Sequence, residues 1–134
     1  GEPWRVSKLY YQMGMHRLRF AALDAALHEK GMDSPYAERL ASWENYDYER
    51  RITTRVECAD FFEVRDAALL AHASQIDPNG HWFAVPMDIQ RRAWPTEDWQ
   101  LVYSAVPTYI PETDLFAGLR PGSSAPDPPD TWTI

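Results

Sequence analysis

Only one cysteine, Cys58, stands in this chain, so no disulfide can form within it. A lone thiol in a strand-like setting reads as a small buried apolar group, and it favours a reducing, cytoplasmic setting. Basic residues are also scarce. Thirteen Lys and Arg stand against twenty Asp and Glu, for a net charge of -7 and a pI near 5.0. Affinity for a phosphate backbone comes from clustered Lys and Arg, so nucleic acid is excluded as a partner. The doublets Arg50-Arg51 and Arg91-Arg92 read as solvated edges of helices or strands. No run approaches the roughly 18 apolar residues of a membrane span, and the opening GEPWRVSK lacks the apolar centre of a signal peptide. A soluble protein without a membrane partner is therefore expected, although Val6 opens an apolar strand pattern as though the fold had begun earlier.

Recognisable reaction centres are missing too. There is no Gly-x-Ser-x-Gly elbow, Gly-rich phosphate loop or dinucleotide fingerprint. The histidines at 16, 28, 72 and 81 are isolated, with no His-Glu-x-x-His, no His-x-His and no Cys pair, so the sequence offers no zinc ligand set. An approach of His72 to Asp77 or His81 around a turn is the weakest of the readings open to His72. Cys58 as a nucleophile would need an activating histidine and solvent access.

What is present is globular. Of the 134 residues 45% are hydrophobic, with six Trp, seven Tyr and five Phe, enough for one domain with a real core. Val6 to Met13 reads as a strand ending near Gly14. Met15 to Lys30 has helical spacing and is stopped by Gly31. Ser34-Pro35 is a helix-start signal, giving a second helix from Pro35 to about Trp43. Arg51 to Cys58 alternates as a strand, Asp60 is placed to cap a helix from Phe61 to about Ile76, and Asp77-Pro-Asn-Gly80 is a turn in which Asn-Gly tolerates positive φ. A short helix over Pro86 to Ala93 and a strand over Glu97 to Val106 follow. Strands interleaved with helices give an α/β class, about three strands with three to four helices, over residues 1–119. Residues 120–134 read as a flexible Pro/Ser-rich tail. The first strand carries apolar groups on both faces, so something beyond this sequence is expected to cover it.

Stepping the third helix at 100° per residue puts Phe61, Ala68, Leu69 and Ile76 on one face, Val64 and Phe62 at its margins, and His72 in the middle. Arg65 falls beside His72, Gln75 lies at the edge, and Glu63, Asp66 and Ser74 take the solvent side. Inward polar groups need partners. A structural network and a contact with substrate both remain open for His72.

The blocks KLYY (8–11), TTRVEC (53–58), RDAALLAHASQIDP (65–78), WPTED (94–98) and ETDLFAGL (112–119) occur together and in order. In this the chain resembles the C-terminal part of the LmbE/PIG-L-like family of zinc-dependent deacetylases and amidases. The TTRVEC and WPTE blocks point to an actinobacterial amidase branch. The resemblance implies the C-terminal portion of a Rossmann-like fold. It also implies hydrolysis of the amide of a thiol conjugate, an S-conjugated mycothiol, in thiol detoxification. Zinc would belong to the complete enzyme and not to this chain alone, because the family's His-Pro-Asp-Asp-Glu and His-Pro-Asp-His motifs have no counterpart here. The expected partners are the small-molecule conjugate and a missing N-terminal zinc-carrying portion, whether the chain is a fragment or one subunit of a split enzyme. His72 and Gln75, with Lys8 or Arg55, are the residues the resemblance places on the substrate. The sister deacetylase of the N-acetylglucosaminyl-inositol precursor and a non-catalytic binding module are the competing functions. Apolar faces left bare by the missing portion are expected to favour self-association.

Overall fold

The computed structural model describes residues 1–44 and 47–120; of the expected tail, residues 121–134 lie outside the described part. The elements are β1 (Lys8–Gln12), α1 (Arg17–Glu29), α2 (Ala37–Ala41), β2 (Thr54–Glu57), α3 (Phe62–Leu70), α4 (Met87–Ala93) and β3 (Thr96–Ser104). The chain is α/β, with one three-stranded sheet in the order β1-β3-β2 and four α-helices among the described residues. No helix among them is long and apolar enough to cross a membrane. The described residues fall into two compact units, one of residues 1–14, 50–56 and 97 onward, the other of 15–49 and 57–96.

The first unit holds the sheet. β1 pairs antiparallel with β3, Lys8 opposite Ser104 and Gln12 opposite Trp99, with a bulge between Leu9 and Tyr10. β2 also runs antiparallel to β3: the Thr53 N–H donates to Trp99 at 2.9 Å and the Cys58 N–H to Pro95 at 3.0 Å, so the register counts in opposite directions. Thr54 adds a parallel bridge to Glu112. Leu9 and Tyr11 are exposed, whereas Tyr10 points to the half-buried side.

The second unit is helical. Phe20, Leu23 and Leu27 recur at helical spacing on α1 and meet Tyr36, Val85 and Ile89, the last from α4. His16 ends up fully buried as the α1 N-cap, its Nδ1 accepting from the Arg19 N–H at 3.3 Å. The stop at Gly31 takes the expected form: φ is +67°, and the N–H groups of Gly31 and Met32 close on His28 and Leu27 at 2.9 and 3.0 Å.

Several expected boundaries shift. The second helix shrinks to five residues, although Ser34 Oγ does accept from the Tyr36 N–H at 3.2 Å. Asp60 caps nothing, because a 3₁₀ turn over Ala59–Phe61 leads into α3 without a side-chain cap. The turn after residue 76 is an Asx turn, Asp77 Oδ1 accepting from Asn79 N–H at 2.9 Å, and Gly80 sits at φ -73° and not in the left-handed region. The helix expected to reach Ile76 ends at Leu70.

Candidate substrate-facing site

In the sheet unit the interior is polar. Thr54, Asp98 and Glu112 are buried beside Met13, and Glu112 gathers the donors. Lys8 Nζ pairs with Glu112 Oε1 and also donates to the Ala117 carbonyl at 3.1 Å. The Tyr10 hydroxyl donates to Oε2 at 2.7 Å and Thr54 Oγ1 does so at 3.1 Å. Backbone bonds fasten the same residue to β2, Arg55 N–H to the Glu112 carbonyl at 3.0 Å and Glu112 N–H to Thr53 at 2.9 Å. Gly118, at φ +79°, lets the chain pass so close to Pro107 that a Cβ would lie 2.9 Å from its carbonyl oxygen. Lys8, expected on the polar conjugate, therefore commits its charge to Glu112, with a side chain only 3% exposed. Arg55 lies with its Nε 3.8 Å from buried Asp98 Oδ1.

Burial, then the hydrogen bond and the charge of Glu112, then the charge of Asp114, push the Tyr10 phenol well above the ordinary value of 10.0. Folding thus holds the proton more tightly than the unfolded chain does. The associated stability is fully present below about pH 10 and is lost as pH rises beyond it. Tyr10→Phe is expected to flatten that alkaline fall while costing about 1 kcal/mol at neutral pH, measured by urea melts between about pH 8 and 11.

The helical unit carries the other two expected residues. The inward side of α3 is set by Phe62, fully buried, with Leu69, Arg65 and Asp66, turned from the expected face toward Phe62 and Asp66; Phe61, Val64 and Ala68 point outward. Arg65 lies over the rings of Phe62 and Trp82 at 4.1 and 5.1 Å and donates to Asp66 and Gln90 at 2.9 Å each, so Asp66, expected in solvent, is its inward counter-charge. His72 and Gln75 are exposed in a turn beyond the helix, not in its apolar face. Backbone bonds make that turn: His72 N–H to Leu69 at 2.9 Å, then Gln75 and Ile76 N–H to the His72 carbonyl at 2.9 and 3.0 Å. Both side chains are thereby presented outward from a short, bonded loop.

Sequence reading gave no role to Glu112, which opens the ETDLFAGL block 104 residues from Lys8; no local spacing ties it to that lysine. Among the described residues no three His, Cys, Asp or Glu converge as a metal-ligand group. The donor set of the described residues does not fit a zinc centre.

Over 121 residues the chain is 52% identical to the mycothiol S-conjugate amidase of Streptomyces coelicolor, covering 90% of this chain and 41% of that protein. Its likeness is thus to the mycothiol amidases and related deacetylases. Against 1D-myo-inositol 2-acetamido-2-deoxy-alpha-D-glucopyranoside deacetylase 1 of Frankia alni the identity is 33% over 135 residues, 90% of this chain and 44% of the relative. The corresponding deacetylase of Nocardiopsis dassonvillei is 33% identical over 122 residues, 89% of this chain and 43% of the relative. The chain spans about two fifths of the length of the curated relatives it matches. No family model matches it, and neither does any solved structure.

Proposed function

We propose that this chain is the C-terminal, substrate-shaping part of a zinc-dependent amidase that hydrolyses the amide bond of mycothiol S-conjugates. The observation that carries the reading is the identity gap: 52% to an amidase against 33% to the deacetylases over similar shares of this chain. In the reaction, water adds to the amide carbonyl, the C–N bond breaks, and the leaving amine takes up a proton. His72 and Gln75 supply hydrogen-bonding groups to the polar conjugate from their exposed turn. Residues that hold zinc and activate water belong to the part of the polypeptide outside this sequence, and no step of the hydrolysis is assigned to a side chain of this one.

The deacetylase reading has its own support in the 33% relatives, and the two differ in the acyl group removed. The test is competition between substrates. The longer polypeptide containing this sequence is given an S-conjugated mycothiol and, separately, the acetylated glucosamine-inositol. A kcat/KM at least about tenfold higher for the conjugate is expected, which corresponds to about 1.4 kcal/mol of transition-state discrimination. The reverse preference assigns the deacetylase. Tight binding of the conjugate without turnover of either assigns a binding module.

A further inference from the structure

Among the described residues of the helical unit, α3 is apolar on two sides, and its own unit covers one. Phe62 and Leu69 face inward, together with Arg65 and Asp66. On the other side Phe61 is 66% and Val64 67% exposed, and exposed Ala68 and Ala71 continue the line toward the end of the helix. Glu63, paired with Arg91, borders the strip. A helix apolar on both sides is normally covered on both, and a contiguous exposed apolar strip marks an interaction surface.

We infer that the outward side of α3 seats an apolar surface of the same longer polypeptide, from the part that lies outside this sequence. The inference rests on the reading of the chain as part of a larger amidase. Length selects this occupant over a second copy. The chain spans 41% of the amidase to which it is 52% identical, so about three fifths of such a protein remains to be packed. The strip's own side chains, Phe61, Val64, Ala68 and Ala71, carry no charge or hydrogen-bonding group, which fixes the occupant's chemistry as aliphatic or aromatic. The strip also leads from Phe61 through Ala71 directly to His72, so the seated surface ends beside the His72–Gln75 turn. Substrate reaching that turn would lie at the seam where the two portions of the polypeptide meet.

The test is thiol labelling of Val64→Cys in the longer polypeptide, read peptide by peptide, with exposed Glu29→Cys as the control. Labelling at position 64 is expected to be at least about tenfold slower than at position 29 and independent of protein concentration. A second measurement uses Val64→Glu, which is expected to lower the Tm of the longer polypeptide by several degrees. Equal labelling rates together with an unchanged Tm overturn the inference. Protection that appears only on raising the protein concentration also overturns it, in favour of a second copy. Amide hydrolysis is assayed in parallel on the Val64→Cys protein. Turnover with a freely labelled position 64 removes the interface and leaves the amidase, whereas protection without turnover removes the amidase and leaves the interface.

Discussion

Replacing Glu112 with alanine is expected to destabilise the sheet unit by about 3–5 kcal/mol, enough to consume much of a small protein's total stability. The cause is the company Glu112 keeps. Its carboxylate accepts from Lys8, Tyr10 and Thr54, and the Lys8 and Glu112 side chains are 3% and 2% exposed. Removing the acceptor leaves the buried Lys8 ammonium with only the Ala117 carbonyl and takes from Tyr10 and Thr54 their carboxylate partner, and the uncompensated charge dominates the cost. Glu112→Gln keeps the shape and still strands the ammonium, so it should lose most of the same amount. Lys8→Met combined with Glu112→Leu removes both charges and is expected to recover a large part of the loss. Urea denaturation of the four proteins checks this; a Glu112→Ala cost under about 1 kcal/mol would mean that Lys8 finds other partners and that the knot does not hold the sheet.

His72→Ala carries the largest expected effect on activity. In the complete enzyme kcat/KM for the S-conjugate should fall by roughly 10²-fold, the scale for losing one well-placed hydrogen-bonding group, with Gln75→Ala showing a smaller loss. The Tm should stay nearly constant, because both side chains are exposed and substitutions at such positions rarely move stability beyond about 0.5 kcal/mol. A Tm that drops in step with activity would assign His72 to packing, and unchanged activity would remove the turn from the substrate.

Much of the framework was legible because its signals are local. Gly31 stops α1 through its positive φ, Pro86 opens α4, and the aromatic and β-branched runs mark β1 and β2. Counting at 100° per residue failed on α3 for a physical reason. Phe61 belongs to a 3₁₀ turn, and Phe61-Val64-Ala68 and Phe62-Leu69 form two apolar sides, so periodicity alone does not say which one the chain's own core takes. Arg65 decided it, since its stacking on Phe62 and Trp82 and its bond to Gln90 bring the polar residues of the inward side into the fold. The Glu112 knot was invisible for a different reason. Its members stand at 8, 10, 54 and 112, joined by tertiary contact with no spacing rule to betray them.

The most direct measurement is zinc content and amide hydrolysis of the 134-residue chain by itself, side by side with the longer polypeptide. The expected result is well under one zinc per chain and no turnover of an S-conjugated mycothiol for the short form, with both zinc and turnover present in the long form. Stoichiometric zinc and unaided hydrolysis by the short chain would contradict the assignment of the reactive centre to residues outside it.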